Sequence, residues 1–324
     1  MNIHEQRDQV SLAQAVQLSQ DWPVIGHNWA VKRLSRAIER NTLAQSILLV
    51  GAQSIGKTTL ALALARVLLA SFSGDRVRVN RLVDENRHPD LSWIRPDGGS
   101  IKVEPIRELL HTLALFPVES AYRVAIIERA DLLTDGAKNA FLKTLEEPNP
   151  AVVLVLTAPS VESVLPTMAS RCQVMTLRST AQALIEHELV RRGAPQSDAE
   201  RLARLANRRI GWAIAAHRDN DMLSNRLEQL RTFVTALNAD MTGRFAYAEQ
   251  MAKQEPDVIG DQLEQILFMW RDAMRQGLVS ALQAFAAMSA VASAKSRIER
   301  NVNIRLALDV MMLDVPTGIT VQAL

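Results

Sequence analysis

The stretch SILLVGAQSIGKT, residues 46–58, decides the fold of this chain. Its first five residues form an apolar run with the length of a buried parallel strand. The next eight satisfy the pattern G-x-x-x-x-G-K-[ST], and a helix is predicted to follow over 58–69. This strand–loop–helix order predicts a phosphate-binding loop, because the loop amides and the N-terminus of the helix attract anions.

The residue types in this loop suit a nucleoside triphosphate. Gly51 and Gly56 let the backbone wrap tightly, so that its N–H groups point inward. Lys57 can reach the β- and γ-phosphates, and the hydroxyl of Thr58 can bind Mg²⁺. We therefore predict ATP with Mg²⁺ as the cofactor. The predicted nucleotide-binding residues of the loop are Gly51, Ser54, Ile55, Gly56, Lys57, Thr58 and Thr59.

Strands and helices alternate through the first half of the chain, which predicts an α/β fold with a parallel sheet and helices on both faces. Further strands are predicted at 123–127, 152–157 and 174–177. The predicted helices lie at 30–40, 58–69, 106–115 and 135–147.

After about residue 180 the pattern becomes entirely helical, which suggests an all-α C-terminal part. Three short helices are predicted at 181–192, 197–205 and 211–217. Longer amphipathic helices are predicted at 222–237, 243–253, 257–276, 278–296 and 303–313.

The composition is globular, with 48% hydrophobic and 22% charged residues, and the net charge of +2 does not demand a nucleic-acid partner. The one cysteine, Cys172, excludes an internal disulfide and a cysteine-ligated zinc site, and is interpreted as a small buried hydrophobe. The polar N-terminus lacks the apolar core of a signal peptide. The uncharged segment 277–294 is interpreted as a buried helix and not as a membrane span. We expect a cytoplasmic protein without a membrane partner.

The carboxylates that an ATPase needs beside the phosphate loop are incomplete in this chain. A neighbouring strand should end in one carboxylate for Mg²⁺ and another that polarises water. After the strand at 123–127, Glu128 could serve the metal, but the next residue is Arg129, whose guanidinium cannot accept a proton. Asp131 could substitute, although the N-cap of the following helix is its favoured role. The site is therefore expected to bind ATP and to hydrolyse it poorly.

Arg171, in the segment PTMASRCQ (166–173), has two interpretations. Surface arginines paired with a carboxylate are common. Alternatively, Arg171 is an arginine finger, which is donated to the nucleotide of a neighbouring subunit.

Several segments together resemble the clamp-loader branch of the AAA+ ATPases. They are the phosphate loop, NAFLKTLEEPNP (139–150), PTMASRCQ (166–173), HPDLSWIRPDGGSIKVEPIREL (88–109), VIGHNWAVKRLSRAI (24–38) and NVNIRLALDVMML (301–313). The resemblance runs from about residue 22 to 315, and the Ser-Arg-Cys tripeptide with the Leu-Glu-Glu-Pro helix is specific to this branch.

The resemblance implies an AAA+ nucleotide-binding α/β domain over 1–178, a three-helix lid over 179–218 and a helical collar for oligomerisation over 219–324. It implies a five-subunit ring with gamma/tau-type and delta subunits, which loads a sliding clamp onto primed DNA. In that ring Arg171 is the finger that completes the ATP site of an adjacent gamma/tau-type subunit. Val24 and Ile25, with Gly26, are implied to lie near the adenine.

The chain departs from this family in several places. The family's four-cysteine zinc module is missing from 71–86, so no zinc is expected. Glu128-Arg129 replaces Asp-Glu, and Trp212 falls where the lid arginine is expected; Arg208 and Arg209 lie nearby, but the role is not carried to them. Moreover, the chain ends at the collar, whereas tau-like subunits continue.

The loss of the base and of the lid arginine favours a subunit that assists ring assembly and hydrolysis over a motor. The alternatives are an active gamma/tau-type motor ATPase and, more remotely, a P-loop phosphotransferase.

Overall fold

The computed structural model describes residues 22–70, 75–97, 99–300 and 302–318. The chain forms two compact units, Met1–Ile214 and Ala215–Leu324. The polar N-terminus, residues 1–20, lies outside the described residues. The division of the first part into a nucleotide-binding domain and a lid stays a prediction.

The first unit is built on a five-stranded parallel sheet with the order β2-β3-β4-β1-β5. The central strands β1, β3 and β4 are buried along their whole length, which explains their continuous apolar sequences. The strands are β1 Ser46–Val50, β2 Leu91–Ile94, β3 Arg123–Ile127, β4 Val152–Ala158 and β5 Gln173–Thr176.

Helices cover both faces of this sheet, as predicted. The residues of β1 alternate: Ile47 and Leu49 join the core on one face, and Leu48 and Val50 join the core on the other. The helices that begin in this unit are α1 Asn28–Glu39, α2 Lys57–Ala70, α3 Arg76–Asp84, α4 Val103–Leu113, α5 Asp135–Glu146, α6 Pro166–Ala169, α7 Gln182–Arg191, α8 Gln196–Leu205 and α9 Ile210–Arg218.

A buried carboxylate fixes the connection between α4 and β3. Asp90, of the His-Pro-Asp segment, is 1% exposed and accepts hydrogen bonds from the backbone N–H groups of Val118, Glu119 and Ser120, at 2.6, 2.8 and 2.9 Å. Arg123 lies 3.9 Å from the same carboxylate and donates to backbone carbonyls of this connection. The His-Pro-Asp segment, which is part of the family resemblance, therefore holds the loop between α4 and β3 in place.

The second unit is all-α, as predicted. Its core contains large side chains such as Phe233 and Trp270, and buried Arg244 donates to the carbonyl oxygens of Leu237 and Met312. Its helices, after the end of α9, are α10 Asn220–Leu237, α11 Met241–Ala252, α12 Pro256–Arg275, α13 Ala281–Glu299 and α14 Ile304–Asp314.

The uncharged segment 277–294 spans a helix boundary. Gly277, with φ +72°, follows the end of α12, and Ser280 caps α13 through a capping box with Gln283. The helix predicted from 278 thus begins at Ala281, and one of its faces is buried. No helix among the described residues is long and apolar enough to cross a membrane.

Candidate nucleotide-binding site

The phosphate loop joins β1 to α2, and its backbone adopts conformations that favour glycine. Gly51 has φ +148° and Gly56 has φ +107°. A Cβ atom on Gly51 would lie 2.5 Å from Ile55 Cδ1 and 2.7 Å from the carbonyl oxygen of Leu177. Glycine is therefore needed at position 51 for both its φ angle and its size.

Lys57, the first residue of α2, places its ammonium group inside the loop. Its Nζ donates to the carbonyl oxygens of Gly51 and Ala52, at 2.6 and 2.8 Å. Burial, followed by the positive charge of Arg129, lowers the pKa of Lys57 to about 8. Thr58 beside it is half-buried and Thr59 is exposed.

The lead-in to α1 contacts this loop. His27 is buried, and its Nε2 lies 2.7 Å from the carbonyl oxygen of Ile55. Gly26, with φ +83°, lies so close to Thr180 that a Cβ atom would be 2.7 Å from its Oγ1. The segment containing Val24 and Ile25, both half-buried, is thus anchored beside the loop.

The start of α9 also rests on the loop. The backbone N–H of Gly211 donates to the carbonyl oxygen of Ser54 at 2.8 Å, and a Cβ atom on Gly211 would lie 2.8 Å from the same oxygen. Arg209 and Trp212 are buried on either side of this contact, at 4% and 8% exposure, whereas Arg208 is exposed. The segment that leads into α9 therefore brings a buried arginine, Arg209, to this part of the unit, and position 212 is a tryptophan.

The residues that follow β3 form two separate pairs. Glu128 accepts a hydrogen bond from Trp93 Nε1 at 3.1 Å. Arg129 forms a two-pronged ion pair with Asp131, with Nε–Oδ2 at 3.0 Å and Nη2–Oδ2 at 2.8 Å. The expected N-cap role of Asp131 is wrong, because Thr134 is the N-cap of α5 and the Asp131 carboxylate is engaged by the guanidinium. Asp131 is thus not a free substitute for the missing base.

Arg129 has an unusual backbone conformation. Its φ is +55°, and its N–H donates to Thr157 Oγ1 at 3.1 Å, at the end of β4. Among the described residues, the other non-glycine positions with positive φ are three asparagines, Ser54 and Arg208. Asparagine tolerates a positive φ, whereas serine and arginine adopt it less readily. Ser54 lies in the phosphate loop, and Arg129 and Arg208 lie in segments that flank it. Such strain is often concentrated at functional sites.

The oxygen atoms of Thr58 and Glu128 are of the kind that Mg²⁺ prefers, so the predicted pair fits this metal. Among the residues that the structure describes, no group of three or more His, Cys, Asp or Glu side chains could hold a metal ion. A Mg²⁺ ion here would rely on oxygen atoms of the nucleotide and water for its other positions.

Arg171 follows α6 and joins two of the segments that carried the resemblance. Its guanidinium donates to Glu146 Oε1 at 2.6 Å and to the carbonyl oxygen of Thr167 at 2.7 Å. The side chain is 34% exposed. The ion pair with a carboxylate that is typical of a surface arginine is therefore present. The role of Arg171 as an arginine finger stays a prediction. Next to it, Cys172 is half-buried against the core, and burial raises the pKa of its thiol to about 11.

His27 and Thr157 were not singled out from the sequence. Thr157 could have been noticed, because it is a polar residue at the carboxyl end of an otherwise apolar strand. His27 had no such signal, since its partner Ile55 is 28 residues away.

The parallel sheet, the phosphate loop between β1 and α2 and the all-α second unit define an α/β protein of the P-loop class. Residues 26–181 match the family described as DNA polymerase III, delta subunit. The delta-prime subunit of Bacillus subtilis is 26% identical over 315 residues, which cover 89% of this chain and 95% of that protein.

Shorter matches include two further subunits. The delta-prime subunit of Haemophilus influenzae is 33% identical over 41% of this chain and 42% of its own length. The tau subunit of Salmonella typhimurium is 31% identical over 51% of this chain and 26% of its own length. The match over residues 26–181 and the similarity to a delta-prime subunit along most of the length thus make this chain similar to subunits of DNA polymerase III.

Among solved structures, a gamma subunit-related protein from Thermotoga maritima is 20% identical, with a TM-score of 0.49 over 87% of this chain and 97% of that chain. RuvB of the same organism matches with a TM-score of 0.45 and 17% identity over 86% of both chains.

Proposed function

We propose that this chain is a clamp-loader subunit, and that it is the delta-prime-like, assisting member of its complex. It binds ATP at the phosphate loop, hydrolyses it slowly or not at all, and donates Arg171 to the ATP site of a neighbouring gamma/tau-type subunit. Together with gamma/tau-type and delta subunits it forms a five-subunit ring, which loads the sliding clamp onto primed DNA.

The observation that carries the proposal is the ion pair between Arg129 and Asp131. A general base must hold an unprotonated, correctly placed carboxylate near the attacking water. Position 129 carries a guanidinium, and the nearest substitute, Asp131, is bound to that guanidinium at 2.8 Å. Glu128 is held by Trp93 and is needed for the metal. The chain thus lacks a carboxylate available for catalysis at this strand end.

ATP binding itself is supported by the intact loop. Lys57 lies among its carbonyl groups, and the N-terminus of α2 faces the same space. Thr58 and Glu128 are the groups that would hold Mg²⁺ with the nucleotide. Val24, Ile25 and Gly26, anchored beside the loop, are proposed to flank the adenine.

The finger role is supported by the position of Arg171. It lies outside its own phosphate loop, on a partly exposed surface, and its guanidinium is oriented by Glu146 and Thr167. An arginine that serves a neighbouring subunit has to be accessible in this way.

The alternative that keeps specific support is a motor of the gamma/tau type, since the chain retains its phosphate loop and matches tau and gamma subunits over about half its length. ATP turnover by the purified chain, alone and then with a gamma/tau-type partner, separates the two. Binding without turnover in isolation, with turnover appearing only in the complex, is the expected result. Sustained Mg²⁺-dependent hydrolysis by the isolated chain would establish the motor instead.

A further inference from the structure

Two carbonyl groups of the phosphate loop are held by residues outside the loop. The N–H of Gly211 donates to the carbonyl oxygen of Ser54 at 2.8 Å, and Nε2 of His27 lies 2.7 Å from the carbonyl oxygen of Ile55. A peptide unit is planar and trans, so its N–H points opposite to its C=O. The two contacts therefore turn the N–H groups of Ile55 and Gly56 away from these outside partners.

These two N–H groups are arranged as donors to an anion. Gly56 immediately precedes α2, so its N–H lies beside the free N–H groups at the N-terminus of that helix. Ser54 and Gly56 have φ of +57° and +107°, and Ile55 between them does not have a positive φ, which is the alternation of an anion-binding nest. Within the described part of the chain, neither N–H group donates to a protein atom, so both are available to phosphate oxygens.

The side chain of His27 serves the loop and not its own helix. His27 is the N-cap of α1, but its ring makes no capping hydrogen bond, and histidine is not among the residues preferred there. The ring is 1% exposed, and its Nδ1 has no hydrogen-bond partner among the described residues. A carbonyl oxygen only accepts, so Nε2 carries the hydrogen and donates it to Ile55. The same edge of the ring faces Gly56, since a Cβ atom there would lie 3.6 Å from Cδ2 and Nε2.

Building on the proposed ATP site, we propose that His27 is a positioning residue of that site, which aims the Gly56 N–H at the phosphates by holding the carbonyl oxygen of Ile55. His27 itself touches no phosphate, because the peptide unit lies between its ring and the ligand. Its effect is on the phosphate groups and not on the base, although it directly follows the segment 24–26 that is proposed to flank the adenine.

The test compares His27→Leu, which removes the donor, with His27→Gln, whose Nε2 can donate from a similar position. Titration calorimetry on the full chain measures binding of ATP and of inorganic tripolyphosphate, which carries phosphates without a base. We expect His27→Leu to weaken both ligands by the same factor of about 10–100, the contribution of one hydrogen bond to a charged group. His27→Gln should bind both within about threefold of the unchanged chain, because the donor is restored.

His88→Leu is the matched control, because His88 is a buried histidine of the same unit, 3% exposed. It precedes β2, whereas the loop follows β1, so the two lie at opposite ends of parallel strands. The folded control should bind both ligands like the unchanged chain. Urea unfolding without nucleotide measures the stability of each variant separately. If His27→Leu does not fold, His27→Asn takes its place, because the shorter amide does not reach Ile55.

Three outcomes would overturn the proposal. The first is unchanged affinity for both ligands in a folded variant without the donor, and the second is equal weakening by His27→Gln and His27→Leu. The third is a loss of affinity for ATP but not for tripolyphosphate, since the effect would then pass through the adenine. Absence of ATP binding by the unchanged chain would instead refute the proposed nucleotide site itself, and this inference with it.

Discussion

Replacing Asp90 by asparagine should destabilise the first unit strongly, although the side chain keeps its size. The Asp90 carboxylate accepts three backbone N–H groups and is fully buried, with Arg123 nearby. Each charge-assisted bond contributes roughly 1.5–3 kcal/mol, so the three bonds together contribute about 4.5–9 kcal/mol. The oxygen of the asparagine side chain can still accept hydrogen bonds from some of these N–H groups. The NH₂ group of the same side chain, however, faces the remaining N–H donors and cannot accept from them. We therefore expect a net loss of about 3–5 kcal/mol, as for other broken buried ion pairs.

The assay combines urea unfolding with hydrogen exchange of the backbone amides of residues 118–120. A local loss of about 3 kcal/mol corresponds to a more than 100-fold rise in the opening equilibrium, since 1.4 kcal/mol is a factor of ten. Asp84→Asn is the control, because Asp84 is 59% exposed and its pair with Arg66 lies at the surface, where pairs contribute about 0–1 kcal/mol. A change below about 1 kcal/mol for Asp90→Asn, with unaltered exchange at 118–120, would refute the proposed role of the carboxylate.

Three further predictions concern the site. Gly211→Ala should weaken ATP binding and lower the free energy of unfolding by about 1–3 kcal/mol, because the new Cβ atom would lie 2.8 Å from the carbonyl oxygen of Ser54. Alanine otherwise favours helices, so a higher melting temperature with unchanged ATP affinity would contradict this contact. ATP affinity should fall about tenfold per pH unit above pH 8, because Lys57, with its pKa lowered to about 8, loses there the proton that phosphate binding requires; calorimetry showing equal affinity at pH 7 and pH 9 would exclude this. Alkylation of Cys172 at pH 8 should be roughly 100-fold slower in the folded than in the unfolded chain, because burial raises its pKa to about 11; equal rates would contradict its burial.

Three of the four strands predicted from the sequence are those that the fold buries most, and the fourth, predicted at 174–177, is the edge strand β5. β1, β3 and β4 lie in the middle of the sheet, so both of their faces are apolar and the runs are easily seen. β2 does not stand out as an apolar run in the sequence. It is an edge strand of four residues, three of them only half-buried, so its sequence is under weaker constraint.

The candidate site divides in a similar way. The phosphate loop is a local motif, and its glycines and Lys57 could be assigned from spacing alone. The pairing of Glu128 with Trp93 and the contact of His27 with Ile55 join residues 35 and 28 positions apart. The Arg129–Asp131 pair is close in sequence, but it depends on the positive φ of Arg129, for which an arginine gives no sequence signal.

The central claim is that Arg171 serves the ATP site of another subunit. The most direct measurement is single-turnover ATP hydrolysis by the complex with a gamma/tau-type partner, comparing the unchanged chain with Arg171→Ala. The control is Arg191→Ala, which removes an exposed arginine that is likewise paired with a glutamate, the buried Glu188 of α7. We expect an intact complex in which the rate of ATP hydrolysis at the site served by Arg171 falls by about 10³–10⁵-fold. The contribution of that site to the total ATP turnover is then lost. Unchanged turnover in an assembled complex carrying Arg171→Ala would contradict the account.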